Sequence, residues 1–376
     1  MNHRGMTTME VKKINKGKVY HFIYQERTTS KQHIAKGLQM GLSTVTQNLK
    51  LLEEDGLIQK NGFYDSTGGR KADAIEIIAN ARLSIGIALL QDFIEIVATD
   101  LYGTLMVGKT YPLQYEDEDY YYERFAYHLH HFLKENKWTS TQILGVSIAT
   151  QGIIAKEGTH VDYGVLIGNH KMHLDKFTTH FSYPCRLEHD SKATANLELW
   201  HHQTIQDAIV IILNRNLGGA IITNGTVQNG LHMRSGSIEH LCINQNGPQC
   251  YCGRKGCLEM YCSANSLQHL SQKSITGFFH HLRSGDPETC LLWQNYLQTL
   301  AFAIRNLSTI INGKFIISGF LAPYFTVEDI LFLLTAINEQ VTFPLDSTDI
   351  ILSTNGEYAQ ARGTSLSYIQ SFLANI

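Results

Sequence analysis

Residues 240–259, H-L-C-I-N-Q-N-G-P-Q-C-Y-C-G-R-K-G-C-L-E, constrain this chain more than any other stretch. His240, Cys250, Cys252 and Cys257 make a Cys₃His set suited to a tetrahedral zinc ion, spaced C-x-C-x₄-C with the histidine ten residues upstream. Gly253 and Gly256 permit the tight backbone that turns three thiolates toward one ion. Cys250 and Cys252 are too close for an easy disulfide, because that bond demands a specific Cα and Cβ separation. Four protein ligands leave no open coordination position, so the expected zinc is structural. Cys242 and Cys262 flank the run, but the other three cysteines already fill the pattern. Five of the seven cysteines fall within residues 242–262, which fits a metal site in a reducing compartment better than a disulfide framework.

At 376 residues the length predicts two or three domains, and 43% apolar against 17% charged residues excludes a disordered chain. No apolar run is long enough for a signal peptide or a membrane span, so a cytoplasmic protein without membrane insertion is expected. Residues 1–80 hold 12 Lys and Arg against 8 Asp and Glu, whereas the rest hold 19 against 26. A basic head on an acidic body points to a polyanionic partner for the head alone.

Apolar spacing over residues 18–60 predicts three short helices. Ser30 is placed to cap the second and Ser43 the third, in which Val45, Leu49 and Leu52 form the buried stripe. Thr44, Thr46, Gln47, Asn48 and Lys50 fall on the opposite face, at the start of a helix that follows a tight turn at Gly41. A helix-turn-helix uses this arrangement to enter a major groove. Two strands then flank a glycine-rich loop, S-T-G-G-R-K, tipped with Arg70 and Lys71, which reads as a wing able to grip phosphates or a minor groove. The head is therefore expected to be a winged helix-turn-helix over residues 1–80, with a solvated three-helix protein-interaction module as the alternative.

In the body, apolar runs predict strands at 81–90, 94–100, 104–109, 143–148, 208–213, 315–317 and 350–352, and helices at 120–136, 331–338 and 359–373. Two α/β lobes with a cleft between them follow: residues 81–195 with the C-terminal helix at about 358–376, and residues 196–357 carrying the zinc site. His128, His130, His131, His201 and His202 read as surface histidines, since no cysteine or acid stands near them at useful spacing.

The H-x₉-C-x-C-G-x-x-G-C-L-E run and the S-T-G-G-R-K wing resemble the ROK family of repressors, open reading frames and sugar kinases, and the likeness extends over nearly the whole chain. It implies an actin-like, ribonuclease-H-like body behind the winged head, as in sugar-responsive repressors. It also implies a sugar pocket formed by Asn169, by Asp190 at the family's catalytic aspartate, by Glu259, and by His240 at the pocket edge. The family's G-E-x-G-H segment is here Gly236-Ser237-Ile238-Glu239-His240. Ser237 thus replaces an expected sugar-binding glutamate, and either Glu239 supplies the missing carboxylate or the ligand differs from an ordinary hexose.

The phosphate motifs of the ROK kinases are degraded. D-x-G-G-T is replaced by Ala88-Leu89-Leu90-Gln91-Asp92, and G-T-G-[IL]-G-x-G by Asn214-Arg215-Asn216-Leu217-Gly218-Gly219-Ala220. Side chains at these places crowd a backbone meant to approach phosphate. The expectation is a repressor that binds operator DNA as a homodimer or tetramer, senses a sugar or sugar derivative, holds structural Zn²⁺, binds no ATP and catalyses nothing. The alternatives are a sugar kinase with a fused DNA-binding head and a repressor controlled by a protein partner.

Overall fold

The computed structural model describes residues 7–64 and 72–376. The chain opens with α1 (Thr8–Glu26), β1 (Thr28–Thr29), α2 (Lys31–Gly37), α3 (Leu42–Glu54), β2 (Ile58–Tyr64) and β3 (Ala72–Ile77). Thr7 and Glu10 close a capping box on α1, so this helix begins well before the expected residue 18. Ser30 caps α2 by accepting the His33 N–H. Ser43 does not cap α3: the helix starts one residue earlier, with Gly41 at the cap position and no side-chain bond there. The three strands pair in the order β1-β3-β2, antiparallel throughout. Arg70 and Lys71 lie outside the described residues.

The stripe Val45, Leu49 and Leu52 is buried, and Ser43, Thr46, Gln47 and Lys50 are exposed. Asn48 corrects the sequence reading. It is only 4% exposed, and its Nδ2 donates to the Thr44 carbonyl, so it belongs to the packed side of α3. Thr44 is half-buried.

Next come β4 (Leu83–Leu89), β5 (Phe93–Thr99), β6 (Leu105–Pro112), α4 (Asp119–Glu135), β7 (Ile143–Thr150), a small hairpin of β8 (Ile153–Ile154) and β9 (Val161–Tyr163), α5 (Leu174–Thr178), β10 (Cys185–His189) and α6 (Asp190–His201). Their sheet has the order β10-β7-β4-β5-β6. The chain continues through β11 (Ala208–Leu213), β12 (Leu217–Thr223), β13 (Thr226–Val227), α7 (Glu259–Cys262), α8 (Ala264–Ser271), α9 (Ile275–Arg283), α10 (Pro287–Ser308), β14 (Lys314–Ser318), α11 (Val327–Asn338), β15 (Ile350–Leu352) and α12 (Ala359–Asn375). The second sheet has the order β13-β12-β11-β14-β15.

The two sheets share one plan. In each, a three-stranded antiparallel meander is followed by two strands that add in parallel beside its first strand. The central strands β4 and β11 are buried along their whole length, which explains why they read as unbroken apolar runs. Each sheet has its own apolar core. His128 departs from the surface reading, since it is buried against the Tyr111 ring at 4.7 Å.

Helix α12 crosses β4 and β7 and packs along α6. It approaches backbone to backbone: a Cβ on Gly86 of β4 would lie 1.8 Å from the Ala361 oxygen, and one on Gly363 1.9 Å from the Ala193 oxygen. The far end of α12 carries Phe372 and Leu373 into the apolar core of the N-terminal helices, where Phe372 meets the Tyr20 ring at 6.1 Å. The same seam holds a Tyr24–Tyr102 stack at 4.7 Å, with the Arg27 guanidinium 3.6 Å above the Tyr102 ring. No helix among the described residues is long and apolar enough to cross a membrane.

Candidate ligand cavity and metal centre

The 3-10 turn at Ile238–His240 and the loop before α7 bring the four expected metal ligands together. Their ligand atoms all lie within 4.8 Å of one another. Cys252 Sγ and Cys257 Sγ are 3.7 Å apart, and Cys250 Sγ and His240 Nδ1 are 3.8 Å apart. A tetrahedron with Zn–S bonds of about 2.3 Å has S–S edges of about 3.8 Å, so the donor set fits zinc in spacing as well as in chemistry. Gly256, at φ +68°, is where the loop needs glycine, since a Cβ there would strike the Asn244 oxygen at 1.6 Å. With Nδ1 turned to the thiols, His240 Nε2 faces Glu239 Oε1 at 3.9 Å. The cluster thereby fixes one wall of a cavity.

That cavity has a volume of about 370 Å³ and is lined by Asp190, Ser237, Glu239, His240, Gln151, Tyr163, His189, Arg234 and Tyr251, among others. Asp190 sits at the first position of α6, where Ser191 N–H donates to Oδ1 at 2.7 Å and Gln360 Nε2 to Oδ2 at 3.1 Å. Burial nonetheless pushes its carboxyl up, against the opposing pull of His189 and of the Ser191 N–H. Burial also pushes Glu239 up to about 8, with the charges of Asp190 and Glu259 adding to it. Ser237 Oγ donates to the Arg234 carbonyl at 3.0 Å.

Two residues expected in the pocket stand behind it. Asn169 is fully buried, donates to Thr150 Oγ1 at 3.1 Å and to the Gln151 carbonyl at 2.8 Å, and leaves Oδ1 without a partner. Glu259 accepts from Asn216 Nδ2 at 2.9 Å and from the Leu217 N–H at 2.6 Å. Neither lines the cavity. Gln151, Tyr163, Arg234 and Tyr251 were not singled out by sequence. Only Tyr251, the residue between the first two ligand cysteines, had a local signal there.

The ROK family profile matches residues 85–366, which covers most of the chain and all of this site. The chain belongs to the ROK family. Its relatives include the xylose repressor of Bacillus spizizenii, 25% identical over 96% of this chain and 97% of that protein. Among solved structures, a ROK family transcriptional regulator described as a homolog of the E. coli MLC protein superposes with a TM-score of 0.76 at 20% identity, over 97% of this chain and 98% of that one. A ROK family glucokinase from Streptomyces griseus, in complex with glucose and AMPPNP, superposes at 0.63 and 19% identity, over 77% of this chain and 99% of that one. These likenesses place the body in the sugar-kinase-like fold.

Against that ROK background, the turns that stand in place of the kinases' phosphate motifs are bonded to protein. Arg215 pairs with Asp92 at 2.9 Å, joining the β11–β12 turn to the β4–β5 turn across the cleft. Asn214 Oδ1 accepts the Phe320 N–H at 2.8 Å, and Asn216 donates to Glu259. Gly218 and Gly219 are tightly packed: a Cβ on Gly218 would meet Ser191 Oγ at 2.4 Å, and one on Gly219 the Ile238 side chain at 2.4 Å. Ala88, at the place of a metal-holding aspartate, offers no ligand atom and is fully buried.

Proposed function

We propose that this chain is a sugar-responsive transcriptional repressor that binds operator DNA and senses a carbohydrate without phosphorylating it. The observation that carries this reading is the extent of the likeness to a xylose repressor, which runs through the N-terminal elements as well as the ROK body. In this reading residues 1–80 are a winged helix-turn-helix. Residues 81–195 with about 358–376 form one lobe, and residues 196–357 the other. Ser43, Thr44, Thr46, Gln47 and Lys50 present α3 to a major groove, and Arg70 and Lys71 hold phosphates. Asp190, Ser237, Glu239 and His240 meet sugar hydroxyls, with Asn169 and Glu259 supporting them from behind. Zn²⁺ bound by His240, Cys250, Cys252 and Cys257 is structural and aims His240 and Glu239 into the cavity.

The route from cavity to DNA is α12. Its first turn donates from Gln360 to Asp190, and its last turns enter the core beneath α1. Sugar bound at Asp190 favours one closure of the lobes, α12 carries the change to the head, and two heads in a homodimer or tetramer lose the spacing of their half-sites. Gel-shift titration of the natural promoter against a monosaccharide panel tests this, with operator affinity expected to fall in the presence of the effector. Turnover of ATP and sugar that vanishes in Asp190→Asn would replace this reading with a sugar kinase carrying a DNA-binding head.

A further inference from the structure

Beyond the inner cavity lies a second, larger one of about 920 Å³. Gln151, Asp190, Ile212, Asn214 and Asn216 line both, so the two are continuous. The inner volume is near the bottom and the outer near the top of the range of small-molecule pockets, about 300–1,000 Å³. In a kinase of this fold the outer space would take nucleotide, yet its lining is wrong for phosphate. Among the described residues Arg215 is its single cation and is already paired with Asp92, while Asp190 and Glu357 are acidic. A polyanion entering there meets unfavourable charge without a free counter-ion.

What the lining does offer is aromatic faces and amides. Phe93 and Tyr358 line it from the side of the first sheet, Phe320 and Tyr324 from the side of the second. Asn265 and Gln268 of α8 line it as well, and their side chains have no protein hydrogen-bond partner among the described residues. Burial and the neighbouring Glu357 push the Glu95 carboxyl up to about 7, so it donates as well as accepts near neutrality. Flat aromatic faces suit the C–H faces of pyranose rings, and free amides suit their hydroxyls.

We propose that the outer cleft holds the remaining units of an uncharged oligosaccharide whose terminal sugar occupies the inner cavity, so that the effector is a glycan rather than a monosaccharide. This rests on the reading of the inner cavity as a sugar site. Calorimetric titration of the full chain with xylose, glucose, N-acetylglucosamine and the β-1,4-linked dimers and trimers of each tests it. At least one dimer or trimer is expected to bind ~10-fold or more tightly than its own monomer. Phe320→Ala and Gln268→Ala are each expected to reduce that advantage and leave monomer affinity unchanged. Equal affinity for monomer and longer glycans, or an advantage that both variants leave intact, overturns the extension while the sugar reading stands. Saturable binding of ATP with no preference for longer glycans also overturns it, by assigning the cleft to nucleotide. Heat from none of the sugars removes the sugar reading and the extension with it.

Discussion

Gly363→Ala sets two physical effects against each other. Helix propensity alone favours it, since alanine in a helix interior is better than glycine by about 1 kcal/mol. Packing opposes it. The new Cβ would lie 1.9 Å from the Ala193 oxygen and 2.5 Å from its carbon. Ordinary contact begins at 3.4 Å, so α12 and α6 must separate by about 1.5 Å along that line. The obstacle is backbone and cannot swing aside, which puts the cost at the upper end of the overpacking range of about 1–3 kcal/mol. Packing therefore wins, with a net loss of about 2 kcal/mol. At about 2–4 °C per kcal/mol for a domain of this size, the melting temperature should fall by roughly 4–8 °C. Urea denaturation followed by helical circular dichroism should show a lower midpoint with an unchanged slope. A midpoint at or above that of the parent chain would refute the claim that α12 is held by direct backbone contact.

Other expectations follow from the same geometry. Cys252→Ser should cut zinc content, measured by atomic absorption, from about one ion per chain to nearly none, and should lower the melting temperature. Gln47→Ala should lose about 1–3 kcal/mol of discrimination at one base pair with the fold unchanged, read by titrating operator variants. Asn48→Ala should instead cost stability, about 1 kcal/mol for the lost bond to Thr44, read by denaturation. Glu95 binds its proton more tightly in the folded than in the unfolded chain, so its contribution to stability should fall as pH rises from about 4.5 to about 7, and Glu95→Gln should remove that part of the pH profile in thermal melts.

What was legible in the sequence was what is local along the chain. The metal ligands fall within 18 residues, and their spacing alone placed them on one centre. The buried strands β4, β7 and β11 announced themselves as apolar runs, and Ser30 as a cap. Ser43 misled because Gly41 supplies the extended backbone that starts α3 and needs no side-chain acceptor. Asn48 misled because a polar residue at the margin of a helix stripe can be buried once its amide finds a carbonyl one turn back. The pocket was half legible. Asp190, Ser237, Glu239 and His240 line it, whereas Asn169 turns its Nδ2 to the Thr150 hydroxyl and the Gln151 carbonyl, and Glu259 accepts from Asn216 and the Leu217 N–H. The Arg215–Asp92 bridge joins residues 123 apart, and no local pattern announces such a pair.

The seam beneath α1 also sets a timetable for synthesis. Val19, Tyr20 and Ile23 leave the ribosome early, yet the core they enter includes Phe372 and Leu373. At roughly 5–20 residues per second, the two sides of that core are made on the order of 18–70 s apart. Through that interval the N-terminal helices carry an uncovered apolar face, and a nascent chain with α3 already made still lacks the support on which that helix rests. Interruption of translation before α12 would therefore release a head that is complete in sequence but unfinished in its packing.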